Sequence, residues 1–240
     1  MSDNAYLRAN KLCVRYGATQ VLWDVDVAVE KGQIIALIGS NGAGKSTTMD
    51  TLAGLLHSFS GSIFFEENEL TGKSCYDFIK QGIILCPEGR QLFPEMTVQE
   101  NLELGACTKE AKLKKKMSLE KVFSWFPILS ERKSQAAGTL SGGEQQMVAF
   151  SRGLMGLPKV LLMDEPSLGL APKIVDNIFT IAKNITKQDG LSIVLAEQDA
   201  RKALNLASKG YVLENGIISL VGTSESLLND ENVKKAYLGF

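Results

Sequence analysis

Gln33-Ile34-Ile35-Ala36-Leu37-Ile38-Gly39-Ser40-Asn41-Gly42-Ala43-Gly44-Lys45-Ser46-Thr47-Thr48 runs from an apolar stretch through a glycine-rich loop into a segment of helical character. Residues 39–46 match the pattern G-x-x-x-x-G-K-[ST] in the strand-loop-helix setting that a phosphate loop requires. Glycines let successive backbone N–H groups curl around a phosphate, and the start of the following helix adds its positive dipole end. Lys45 is placed to reach the β- and γ-oxygens of a nucleoside triphosphate, and the Ser46 hydroxyl to ligate Mg²⁺. Gly39, Ser40, Asn41, Gly42, Ala43, Gly44, Lys45, Ser46 and Thr47 are therefore the expected phosphate-binding positions.

Working outward, such a loop needs a carboxylate at the end of a neighbouring strand to hold the metal, and Val160-Leu161-Leu162-Met163-Asp164-Glu165 supplies one. Asp164 is the expected metal residue. Glu165 is placed to accept a proton from, or to orient, the attacking water. A third segment, Leu140-Ser141-Gly142-Gly143-Glu144-Gln145-Gln146, precedes a predicted helix and again offers a hydroxyl and outward backbone N–H groups. One subunit needs only one phosphate loop, so Ser141, Gly142, Gly143 and Glu144 make sense as a surface closing over a nucleotide held by another subunit.

The flanking sequence alternates short apolar runs with longer periodic segments, the pattern of an α/β protein. Strands are expected at residues 7–14, 21–29, 33–38, 61–65, 82–86, 159–163, 191–196 and 210–213. The first two, joined by a glycine-containing turn at 16–19, read as antiparallel. Those at 33–38, 159–163 and 191–196 are almost wholly apolar, as in a parallel sheet buried on both faces. No convincing strand falls between Thr97 and Gly156, so one domain over 1–240 is expected, with a helical insertion over roughly 90–156.

Composition sets the outer limits. The 240 residues are 45% hydrophobic and 22% charged, with 26 basic against 27 acidic side chains, which argues against a nucleic-acid backbone as main partner. Met1-Ser2-Asp3-Asn4 does not begin a signal sequence, and no apolar run is long enough to span a bilayer. Cys13, Cys75, Cys86 and Cys107 are far apart in sequence, and His57 is the only histidine, expected in an exposed loop. Zinc sites and Ser-His-Asp chemistry are thereby disfavoured. The lysines between 109 and 121 read as a solvated helix face, and Trp125 and Phe126 as packing of the helical lobe.

The loop at 39–46, Leu-Ser-Gly-Gly-Glu-Gln at 140–145 and Asp-Glu at 164–165, in this order, resemble the nucleotide-binding subunit of an ATP-binding cassette (ABC) transporter over essentially the whole chain. The resemblance implies a P-loop NTPase core with an N-terminal antiparallel β subdomain and an inserted α-helical subdomain that docks on membrane permease subunits. It also implies ATP and Mg²⁺ as ligands, Tyr16 stacking on adenine, a head-to-tail pair in which each Ser-Gly-Gly completes the other's ATP site, and an indirect link to a solute-binding protein. The chain departs from the family pattern in having Glu88 where a Gln commonly contacts metal and water, Gln198 in the place of the switch histidine, and Ala171 for a usual Asp. These departures point to pairing with a paralogue. Pro87-Glu88-Gly89-Arg90, Ser-Leu-Gly-Leu-Ala-Pro at 167–172, Glu197-Gln198 and Lys235-Ala236-Tyr237-Leu238-Gly239 resemble ATPase subunits of bacterial branched-chain amino acid importers, peripheral on the cytoplasmic face of the inner membrane. Importers of urea or amides, and soluble non-transport ATPases of the same superfamily, are the alternatives.

Overall fold

The computed structural model describes residues 5–238; Met1–Asn4 and Gly239, quoted above, lie outside the described residues. The strands are β1 (Leu7–Tyr16), β2 (Thr19–Val29), β3 (Ile34–Ile38), β4 (Ser60–Phe65), β5 (Asn68–Glu69), β6 (Ile83–Cys86), β7 (Val160–Asp164), β8 (Ser192–Glu197), β9 (Lys209–Glu214) and β10 (Ile217–Thr223). The α-helices are α1 (Lys45–Leu52), α2 (Cys75–Gln81), α3 (Val98–Leu104), α4 (Lys109–Leu113), α5 (Lys115–Trp125), α6 (Pro127–Glu131), α7 (Gly142–Met155), α8 (Pro172–Asp189), α9 (Ala200–Leu206), α10 (Ser224–Asn229) and α11 (Glu231–Val233).

Two sheets form, ordered β2-β1-β4-β5 and β10-β9-β3-β8-β7-β6. The first is antiparallel throughout, as the alternation in residues 7–29 requires. In the second, β9, β3, β8, β7 and β6 are parallel and β10 turns back along β9. Every residue of β3, β7 and β8 is buried because both faces are covered. Ile35, Leu37, Leu162, Val194 and Ala196 face the antiparallel sheet and Met49 and Leu52 of α1. Ile34, Ala36, Ile38, Leu161, Met163, Ile193 and Leu195 face α7, α8 and α9.

The expected strands are all present, with ends shifted by a residue or two. The sequence reading missed β5, of two residues, and β10, whose regular alternation is broken by a register shift between Ile218 and Leu220. Among the described residues, 97–156 contains helices and an isolated bridge between Thr97 and Ala136. Phe126 is buried edge-on to Phe150 of α7, and Trp125 packs against the same cluster, which makes both of them lobe packing. His57 is exposed beyond α1, and Lys112, Lys114, Lys116 and Lys121 are exposed as expected of a solvated face.

The parallel register fixes the site. With β3, β8, β7 and β6 side by side and running the same way, their C-terminal ends share one edge of the sheet, the usual ligand position in such folds. That edge carries Gly39 after β3, Gln198 after β8, Asp164 and Glu165 at the end of β7, and Glu88 after β6.

Candidate nucleotide site

A cavity of about 420 Å³ at this edge is lined by Asn41, Gly42, Gly44, Lys45, Ser46, Thr47, Glu88 and Glu165, together with Val21 and Leu168. The loop leaves β3 and enters α1 through Gly44, whose φ of 106° is a backbone conformation that L side chains rarely adopt. It is held from outside by Gly216, whose N–H donates to Ala43 O. Val21 and Leu168 escaped the sequence reading because apolar side chains in a strand and a loop carry no chemical signature.

Lys45 is almost fully buried. Its Nζ donates to Gly39 O at 3.0 Å and Ser40 O at 3.1 Å, and it pairs with Glu165 Oε1 at 3.0 Å. Burying a lone ammonium and a lone carboxylate would be costly, and their pairing here neutralises both. Glu165 sits at φ 44°, an uncommon conformation for a residue bearing a Cβ, fixed by its N–H donating to Ala196 O at 2.9 Å.

Asp164 is 5% exposed, and its Oδ1 is buried without a hydrogen-bond partner. Burial pushes its carboxyl up to about 6 against a hydrogen bond with Ser46, while the charges of Glu165, Glu88 and Asp50 add to the rise. An orphaned carboxylate oxygen beside a serine hydroxyl and further carboxylates is the donor set a hard divalent cation would satisfy.

Tyr16, Gln198 and Ser141–Glu144, also predicted for the site, do not line the cavity. Tyr16, 50% exposed, lies against the start of α1, with its hydroxyl 3.4 Å from Thr47 Oγ1. Gln198 is exposed at the end of β8 and does not line the cavity. Behind it Glu197 is buried and accepts from Ser167 N at 2.9 Å, tying β8 to the loop after Glu165; burial raises its carboxyl above the ordinary range.

Ser141–Gly143 also stands outside the cavity. Ser141 caps α7 in a reciprocal box: its Oγ accepts from Glu144 N, while its N–H donates to Glu144 Oε2 at 2.9 Å. The Glu144 carboxylate also pairs with Arg132 Nε at 3.3 Å, so it builds this surface instead of offering a free negative charge to it.

A second cavity, of about 350 Å³, opens on the other side of the Pro87–Gln91 segment, walled by Ile79, Ile84, Leu104, Cys107 and Phe93. Phe93 is 53% exposed, and its backbone is fixed by the buried Asn101, which accepts from Phe93 N at 2.9 Å and donates to Phe93 O at 3.0 Å.

A family profile described as "ABC transporter" matches residues 22–168. The chain is 47% identical to the high-affinity branched-chain amino acid transport ATP-binding protein BraG of Pseudomonas aeruginosa, covering 97% of this chain and 99% of that protein. It is 35% identical to a probable branched-chain amino acid transport ATP-binding protein LivF of Archaeoglobus fulgidus, over 97% and 98% of the two chains. Among solved structures, a nucleotide-free ATP-binding cassette from an ABC transporter superposes with a TM-score of 0.84 at 30% identity, covering 98% of this chain and 100% of that one. An ADP conformation of such a cassette matches with the same TM-score of 0.84.

Proposed function

Because this chain belongs to the ABC transporter family, as an ATPase cassette matched end to end by its relatives, we propose that it is the ATP-hydrolysing subunit of a membrane importer for branched-chain amino acids. The observation that carries the solute class is the 47% identity to BraG over nearly the whole of both chains.

In this reading the triphosphate enters the cavity between Asn41 and Thr47, Lys45 binds its β/γ end, and the Tyr16 ring stacks on the base. Incoming phosphates compete with Glu165 for Lys45, which frees the carboxylate to take a proton from the attacking water. Mg²⁺ fits the orphaned Oδ1 of Asp164 and the neighbouring Ser46, with Glu88 at the cavity wall, and when bound neutralises charge developing on the phosphates. Gln198 donates a neutral hydrogen bond where an imidazolium would give a charged, stronger one.

Ser141–Gly143, capped but facing no nucleotide of its own chain, suits a head-to-tail pair. The neutral Gln198 favours a paralogue that keeps its histidine as the companion. The cleft at Phe93 suits a short helix of a permease subunit, with Phe93 as its aromatic anchor. No helix among the described residues is long and apolar enough to cross a membrane. Attachment to the cytoplasmic face of the inner membrane would therefore come through that permease, with a solute-binding protein as indirect partner and no role for nucleic acid.

The test is uptake. Intact cells lacking the chromosomal copy should lose high-affinity uptake of radiolabelled leucine and recover it with this chain but not with Glu165→Gln. Undiminished leucine uptake in the deleted cells would overturn the reading.

A further inference from the structure

Arg90 lies two residues beyond Glu88, yet what it touches belongs to the other nucleotide-facing surface. Gly89, Arg90 and Gln91 take consecutive left-handed conformations, with φ of 77°, 65° and 45°. Such a run persists only where its surroundings over-determine it. Here α7 does so at two turns of the helix. Arg152 donates from Nη1 to Gln91 O at 2.8 Å and from Nη2 to Arg90 O at 3.0 Å. The Arg90 guanidinium itself donates from Nη1 to Gln145 Oε1 at 3.0 Å, and that amide is fixed in turn by Nε2 donating to Ala137 O at 3.3 Å. The guanidinium also lies against Gly142, where an added Cβ would stand 3.1 Å from Nη2 and 3.3 Å from Nη1. Among the described residues no carboxylate is within ion-pair distance of Arg90.

We propose that Arg90 is a positioning residue that makes Glu88 and the Ser141–Gly143 surface move as one piece. Loading of the chain's own cavity is thereby transmitted to the surface offered to a second cassette's nucleotide. Glu88 lines the cavity, so a nucleotide and its metal that draw on Glu88 pull on residue 90 within the same short, doubly tethered segment. Arg90 passes that displacement to the first turn of α7 through Gln145 and Gly142. A planar guanidinium can lie flat on Gly142 while keeping its bond to Gln145, and a lysine ammonium cannot do both. This rests on the nucleotide-site reading above, and the significance of the transmitted change rests on head-to-tail pairing.

The experiment uses the full chain alone, with and without a non-hydrolysable ATP analogue and Mg²⁺, and follows amide hydrogen exchange in the peptide covering residues 140–146. Nucleotide should change exchange there by about threefold or more in the parent chain. In Arg90→Ala and Gln145→Ala that change should vanish although the analogue still binds within about twofold, since neither side chain lines the cavity. Gln145→Glu, which keeps an acceptor for Arg90 but loses the donor to Ala137 O, should retain most of it, and Arg90→Lys should recover only part. A merely structural Arg90 would alter exchange with and without nucleotide alike and leave their ratio untouched. The proposal is overturned by an equal nucleotide-dependent change in Arg90→Ala, or by its absence from a parent chain that binds the analogue. Absence of analogue binding would instead strike at the nucleotide site, and undiminished leucine uptake in the deleted cells at the importer reading alone.

Discussion

The loop-and-strand cavity and the Ser141–Gly143 surface both display glycine, serine and a helix start, yet they are built to opposite standards of completeness. In the cavity, Lys45 is buried against Glu165 and two carbonyls, and Asp164 is bonded to Ser46 while its Oδ1 is left for a cation. On the α7 surface, the cap is satisfied internally by Ser141 and Glu144, and Ser141 is exposed outside the cavity. A region that gathers a buried ammonium and an orphaned carboxylate oxygen on one chain can bind ligand on its own. A region that is only capped waits for another molecule.

The sharpest way to break this contrast is at the cavity's carboxylate. Glu165→Gln, measured in the assembled transporter, should slow steady-state ATP hydrolysis by roughly 10²- to 10⁴-fold, the contribution of a positioned base. ATP binding should persist, because Lys45 is then released from its ion pair. Unaltered turnover would remove Glu165 from the chemistry.

Next in size is the adenine contact. Tyr16→Ala should weaken nucleotide binding to the isolated chain by about 1–3 kcal/mol, on the scale of base stacking on aromatics. Titration with a fluorescent ATP analogue measures it, and an unchanged affinity would mean that Tyr16 serves only its contact with Thr47.

The capped surface should respond in the other way. Ser141→Ala removes an N-cap and should lower unfolding stability by about 1 kcal/mol in denaturant titrations while leaving ATP affinity of the isolated chain unchanged. Weakened binding to the isolated chain would show that the two regions are one site after all.

The smallest effect concerns Glu197, which ties β8 to the loop after Glu165. Burial raises its folded carboxyl above the unfolded value, so the native chain holds this proton more tightly than the unfolded chain does. Stability from this group is therefore fullest at low pH and is lost as pH rises from the unfolded value through the folded one. Glu197→Gln, which keeps an acceptor for Ser167 N, should melt above the parent at pH 8, with the gap closing toward pH 5. A gap independent of pH would assign the effect to packing.

Legibility from sequence followed the same divide. The phosphate loop, Asp164 and Glu165 could be read because their function demands fixed residue types at fixed spacing on a βα unit. The pairing of Lys45 with Glu165 could not, since it joins residues far apart through the β3-β8-β7 order. Nor could the contact of Arg90 with Gly142 and Gln145, which depends on consecutive left-handed residues that only α7 stabilises. The strand β10 was missed for a local reason: its register shift breaks the period of two, and Ile217, Leu220 and Val221 are exposed on an edge where burial imposes no alternation. Glu88 and Gln198 came from resemblance, and parallel register explains why positions so distant in sequence reach the same edge.

The cleft at Phe93 also carries its own chemical reporter. Cys107 is exposed in its wall, whereas Cys86, in the same wall, is buried, and burial pushes its thiol up to about 12. Because the thiolate is the reactive form, a maleimide at neutral pH will leave Cys86 unmodified and alkylate the exposed Cys107, which peptide mapping distinguishes from the half-buried Cys75. The rate of that alkylation in the unaltered protein measures how open the cleft is, and whatever settles there announces itself by slowing the label.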